Sequence, residues 1–241
     1  MSIVGLLPSV APQLAQQALA QSRPDLHDVL THYQAPDDTM DSWRPSAFGL
    51  IPVPFMDSVK LTKTEGDLLD NLTQDRGFVG LSTFKDIRDA AFSESKSRYA
   101  PPANTPAYVK DRNAWVSNDG QRDAFRHAYW NARLTKEFGE TWTKAFTTAH
   151  EGVPGNPGSR EAMDLYNNEV GRKIALANPH ASDQELADLV QKAVTDGKMV
   201  VINGAGNLDW SDKVPYGQHG VANDAPAPAA LAKPDASASP D

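Results

Sequence analysis

Asp123 and His127 stand four residues apart, a spacing that sets two side chains next to each other on a helix, about 40° apart around its axis. A carboxylate beside an imidazole is either a proton-transfer pair or part of a metal site. Asn131 is the next step along the same polar line, and Phe125, Tyr129 and Trp130 flank it. The segment from Asp119 to Ala132 therefore carries ionisable groups and large aromatics around the whole helix. A solvent-facing helix would not bear those aromatics, and a plain core helix would not bear those charges. The pattern fits a central helix that lines a site.

His150 shares an i,i+4 stripe with Trp142 and Phe146, so it is expected to point inward, and Glu151 follows it at once. Asp164 and Asn168 are again four apart, as are Asn167 and Gly171, and Gly171 permits a close approach by another helix. Three helices can thus bring Asp123, His127, His150, Glu151, Asp164, Asn167 and Asn168 to one point. One arrangement is a divalent metal centre such as zinc, with His127, His150 and Asp123 or Asp164 as ligands, an open position for water, and Glu151 as general base. A metal-free arrangement uses Asp123 and His127 as an acid/base dyad, with Arg126 or Arg172 stabilising an oxyanion. The residue types are compatible with both. For any one of these residues, core satisfaction by an Asp–His or Asp–Arg pair is the simpler account. For the set of seven within Asp123–Asn168 it is not, because a core needs fewer such groups. His219 is an outlying candidate on a turn that can fold back to the central helices. His27, His32 and His180 sit in polar surroundings and are expected to face solvent.

These residues need elements to hold them. Asn118-Asp119-Gly120 is expected to open a long helix that runs through Phe138 and stops at Gly139. A further helix is expected over Glu140–Glu151, and another over Ser159–Ala177. Thr62-Lys63-Thr64-Glu65 and Ser182-Asp183-Gln184-Glu185 are capping-box patterns. The first opens a helix ending near Gly77, followed by a separate helix from Ser82 to Arg98. The second opens a helix to about Asp196, with Leu186, Leu189, Val190 and Ala193 inward. Short helices are expected over Ala11–Gln21 and Asp25–Tyr33, and a loop from Trp43 to Phe55. After Gly197 the period changes, and Met199–Ile202 with Leu208–Trp210 reads as a β-hairpin around Asn203-Gly204-Ala205-Gly206. The fold class is mostly α, a multi-helix orthogonal bundle with a small C-terminal β-hairpin. Residues 1–57 form a Pro-rich, partly helical extension packed on the body, 58–222 the helical domain, and 223–241 an Ala/Pro/Asp/Ser-rich disordered tail.

The whole chain of 241 residues carries 23 Lys+Arg against 31 Asp+Glu, a formal charge of −8, which argues against a general nucleic-acid binder. With no cysteine there is no disulfide scaffold, thiol nucleophile or Cys-ligated metal. No apolar run reaches the length of a transmembrane helix. Ile3–Leu7 is apolar, but no Lys or Arg precedes it and Pro8 and Pro12 break its continuation, which makes a poor signal peptide. No Gly-x-Ser-x-Gly elbow, P-loop, His-Glu-x-x-His or dinucleotide fingerprint occurs.

Three blocks, Asp119–Ala132 (including DAFRHAYWNA), Ala149-His150-Glu151 and Met163–Arg172 (MDLYNNEVGR), resemble a helical domain family without a settled activity. Its members occur in bacterial polymorphic toxins and in proteins linked to type VI secretion. The resemblance spans about Leu61–Gly220 and maps the family's shared polar residues onto Asp123, Arg126, His127, His150, Glu151, Asp164, Asn167, Asn168 and Arg172. It implies an antibacterial effector, secreted without a signal peptide and cytoplasmic in the producer before export. Its partners would be a secretion-apparatus component and an immunity protein. The expected activity is a hydrolase acting on a phospholipid or other phosphoester of the cell envelope. The competing expectation is a non-catalytic binding or delivery domain whose polar cluster is a core network.

Overall fold

The computed structural model describes residues 23–47, 51–52 and 57–224. The expected helix over Ala11–Gln21, the segment Ile3–Leu7 and all but two residues of the expected tail lie outside them. The described chain is mostly helical. Its elements are α1 (Leu26–His32), β1 (Met40–Trp43), β2 (Ser46–Ala47), β3 (Ile51–Pro52), β4 (Val59–Thr62), α2 (Lys63–Arg98), α3 (Arg112–Val116), α4 (Gln121–Phe138), α5 (Glu140–Glu151), α6 (Gly158–Ala177), α7 (Asp183–Thr195), β5 (Val200–Ile202) and β6 (Leu208–Trp210). No helix among the described residues is long and apolar enough to cross a membrane.

α4 is the axis of the fold. It packs against α2, α5, α6 and α7, most extensively against α6. That proximity depends on Gly171, because a Cβ there would overlap the Ala128 carbonyl across the helix pair. The main core gathers Phe84 and Ile87 of α2, Phe125, Tyr129 and Trp130 of α4, Phe146 of α5, and Leu186 and Val190 of α7. Phe146 is its aromatic hub, stacked on Trp142 and edge-on to Phe84 and Trp130. A second core lies under the C-terminal hairpin, where Val29, Met163, Val200, Ile202 and Trp210 meet. In that hairpin β5 and β6 pair antiparallel, Val200 opposite Trp210 and Ile202 opposite Leu208.

Both capping boxes form, with Thr62 and Glu65, and Ser182 and Glu185, bonding each other's backbone. Gly77 ends the first α2 segment as expected, but the next segment follows without a gap. Its φ of 65° kinks the chain there, and residues from 78 onward are already helical. On α7, Leu186 and Val190 are buried as expected, Leu189 and Ala193 only partly, and Ala187 and Val194 complete the inward face.

The expected loop from Trp43 to Phe55 is corrected by the structure. Met40–Trp43 pairs antiparallel with Val59–Thr62, and Ser46–Ala47 with Ile51–Pro52. Strands of two to four residues among prolines leave no readable alternation, and their pairing is set by the partner segment rather than by their own pattern. Trp43 lies across Gly66 and donates its indole N–H to Asp70, which clips this sheet onto α2.

Asn223 and Asp224 also depart from the expected tail. Asn223 N–H bonds the Gly206 carbonyl, and Asp224 accepts from the Ser159 backbone N–H at 2.9 Å. α6 has no side-chain cap of its own, so the cap comes from Asp224, 65 positions beyond Ser159.

Candidate functional site

The site begins at the N-terminus of α4. Asp119 has φ 65°, a left-handed conformation that Asp tolerates better than most residues. This turn aims the Asp119 N–H at Asp123 Oδ2, 2.7 Å away, and its carbonyl at Ile202 of β5. With one oxygen of Asp123 spent on the turn, Oδ1 is left to face Arg126 Nη2 at 2.5 Å and His127 Nε2 at 3.4 Å. From α6, Asp164 Oδ1 approaches the same His127 Nε2 at 3.7 Å. From the end of α5, Glu151 Oε1 lies 3.4 Å from the other ring nitrogen, Nδ1. Asp123, His127 and Asp164 are all buried, and each offers a ligand atom within 4.8 Å of the others, so this group can hold a metal ion. Asp164 Oδ1 has no hydrogen-bond partner.

These groups form the floor of a cleft of about 460 Å³ whose mouth carries the exposed Tyr108, Lys110 and Val221. Around the floor, Asp119, Asp123, Glu151 and Asp164 outnumber Arg126 and Arg160, while Lys110 and Asp111 offset each other at the mouth. The surplus is negative, and burial makes it costly. Protons absorb part of it. Burial pushes the Asp164 carboxyl well above the usual carboxylate range, helped by Glu151 and Asp123 and opposed by His127. Burial pulls His127 the other way, but Asp164, Asp123 and Glu151 outweigh it and hold the imidazole well above its ordinary range. Both groups are thus held toward their protonated forms, and a bound cation would compete with those protons.

Each expected site residue has a definite place. Asp123, Arg126, His127, His150, Glu151 and Asp164 all line the cleft. His150, expected as a metal ligand, does not join the Asp123–His127–Asp164 group; its Nδ1 is 2.8 Å from Glu65 Oε1. The reason is the capping box: the other oxygen of Glu65 accepts the Thr62 N–H, which fixes the carboxylate where it captures the imidazole. Asn167 is elsewhere. Its amide bonds both the N–H and the carbonyl of Val200, so it serves β5 in place of a neighbouring strand. Asn168 stands behind the floor, accepting from Asn131 at 2.5 Å and donating to Glu151 at 3.3 Å. Arg172 joins that layer through Asn131 rather than reaching the cleft.

His219 does fold back. Its ring stacks on Trp115 with centroids 4.6 Å apart and lies on Gly120, where a Cβ would come within 2.7 Å of Nδ1. Burial lowers its proton affinity. His27, His32 and His180 are exposed, as expected. Sequence reasoning missed Glu65, Asp119 and Arg160. Arg160 grips Asp119 through Nε and Nη2, both at 2.7 Å. Glu65 carried a capping-box position and Asp119 a place in the helix-opening Asn118-Asp119-Gly120, signals that speak of helix initiation rather than of a site, and Arg160 carried none.

A family model described as a domain of unknown function (DUF6973) matches residues 83–198. That stretch holds α4 to α7 and every cleft-floor residue named above, whereas Glu65 and His219 come from outside it. No solved structure matches the chain.

Proposed function

We propose that this protein is a metal-dependent hydrolase of phosphoesters, with a divalent cation such as zinc held by Asp123, His127 and Asp164. The observation that carries the reading is the convergence of these three buried groups, one of them with an unpartnered carboxylate oxygen, on the floor of an open cleft. A core network would have its polar atoms paired and sealed. When bound, the cation supplies a Lewis acid and a water acidic enough to deprotonate near neutral pH.

The chain's own residues prepare the rest. Nε2 of His127 faces the two aspartates and Nδ1 faces Glu151, which is the carboxylate–histidine arrangement that orients an imidazole ligand. Glu151 is therefore better placed to position His127 than to act as general base, and Asn168 steadies Glu151 in turn. Arg126 and Arg160 line the same cleft and suit the oxygens of a phosphoryl group. The exposed Tyr108 and Val221 give the mouth an apolar lip, in keeping with a phospholipid of the cell envelope. The three sequence blocks support delivery as an antibacterial effector by a secretion apparatus, with an immunity protein in the producer.

Calorimetric titration with Zn²⁺, Mn²⁺ and Mg²⁺, beside hydrolysis of bis-p-nitrophenyl phosphate, tests the chemistry. The wild-type chain is expected to bind one ion and cleave the ester. Asp164→Asn should weaken ion binding by about 100-fold or more, since even outer-shell changes cost 10–100-fold. Its metal-free melting temperature should be unchanged or higher, because a buried carboxyl whose Oδ1 has no hydrogen-bond partner is removed. A wild-type chain that binds none of the three ions, or an Asp164→Asn variant that binds as tightly, overturns the metal reading. Growth inhibition on expression in the cytoplasm or periplasm of a test bacterium, lost in His127→Gln, tests the effector role.

A further inference from the structure

Arg126 Nη2 lies 2.5 Å from Asp123 Oδ1 and 3.2 Å from His127 Nε2. These are two of the atoms that a cation in the Asp123–His127–Asp164 group would use. We propose that Arg126 is the resident counter-cation of this group, and that a divalent ion enters only by displacing its guanidinium toward the cleft. The proposal rests on the metal reading above.

Sterics and charge both require an exchange. A metal bonds His and Asp ligands at about 2.0–2.2 Å, which leaves no room for an N–H donor on the same lone pairs. A guanidinium beside a divalent ion at that range would also repel it strongly in a buried setting. The direction of movement is set by the space on each side. Behind Arg126 and His127, toward Phe92 and Trp130, the cavity is about 10 Å³, room for one water and no more. In front is the cleft of about 460 Å³. Release of Asp123 does not strand the charge, because the guanidinium leaves that carboxylate and its place 4.8 Å over the Phe92 ring for an open cleft where water can solvate it. Metal entry thus delivers a guanidinium to the place where an anionic substrate would lie, so loading the ion also readies an anion-binding arm.

Two measurements test this. The first is Mn²⁺ affinity of the wild-type chain and of Arg126→Met, with thermal melts of each. Removing the competitor should tighten binding at least tenfold. Mn²⁺ should also raise the melting temperature of Arg126→Met more than that of wild type, since the ion replaces the charge that the substitution took away. The second is a crystal structure of the wild-type chain grown with Mn²⁺, which does not depend on how well the variant folds. Arg126 is expected out of salt-bridge reach of Asp123 Oδ1, with manganese located by anomalous scattering. Manganese bound while Arg126 stays on Asp123, or equal affinities in the two chains, overturns the exchange and leaves the metal reading standing. Binding by Arg126→Met alone supports Arg126 as the occupant while overturning metal use by the native chain. Binding by neither chain overturns both.

Discussion

His150 shows how a single residue can change role without changing place. It points inward, as its stripe with Trp142 and Phe146 requires, yet Glu65 reaches it first. Burial lowers the proton affinity of His150, but Glu65 outweighs burial, so its folded pKa stands above that of the unfolded chain. Protons then bind more tightly in the folded state. The stabilisation is complete below the ordinary histidine range and is lost as pH rises through the raised value. Breaking such a buried pair costs about 3–5 kcal/mol. His150→Gln should therefore melt well below wild type at pH 6 in the presence of a chelator. The gap should close as pH climbs above the ordinary histidine range. A gap that does not change with pH would show that the pair is not ionised in the fold. Asp123 makes a related point, since its two oxygens serve different ends. Oδ2 holds the turn at Asp119, and Oδ1 faces Arg126 and His127, so the start of the helix and the floor of the cleft are fixed by one side chain.

At the scale of elements, the site depends on how closely α4 and α6 approach. Gly171 sets that distance through its contact with Ala128, which adjoins His127, and it lies about two turns beyond Asp164 on α6. Gly171→Ala should cost about 3 kcal/mol, at the upper end for overpacking, although alanine is the better helix former. It should also weaken Mn²⁺ binding, because Asp164 is carried away from His127. Calorimetry and a thermal melt on the same sample check both effects, and wild-type values in either would show that the helices adjust without cost. On α5 the expectation is simpler. Phe146→Ala removes the aromatic hub and should cost about 3–5 kcal/mol in denaturant unfolding. A smaller loss would mean that Trp142 and Phe84 close over the space.

At the scale of the whole molecule, the first and last described segments are tied to the body. Asp224 caps α6, Asn223 bonds Gly206, and Arg23 reaches Asp212 at 2.9 Å. The cap belongs to the helix that carries Asp164, so the C-terminal segment supports the site from a distance. A chain ending at Asp224 keeps this cap and one ending at Ala222 loses it. The shorter chain should melt about 2–4 °C lower, as expected for roughly 1 kcal/mol in a domain of this size. Equal melting temperatures for the two would show that the cap contributes nothing to stability.

The central helices, their ends at Gly139 and Ser182, both capping boxes and the C-terminal hairpin are determined by the sequence alone. Each is a local property, set by spacing, caps and turn residues within a few positions. The pairing of Asp123 with His127 is legible in the same way, because i,i+4 spacing fixes which side chains share a helical face, whereas Asp164 reaches them from another helix. Tertiary structure decided the rest. Asn167 and Asn168 are adjacent on α6, but about 100° of rotation sends one to a strand and the other behind the cleft floor. His150 met a carboxylate 85 positions away, and Asp119 found Arg160 41 positions away, beyond two intervening helices. No local pattern encodes such partners, because they depend on which helix faces meet and how closely they pack. The same holds for the negative surplus around the cleft, which exists only once four carboxylates from three helices and a turn face one space.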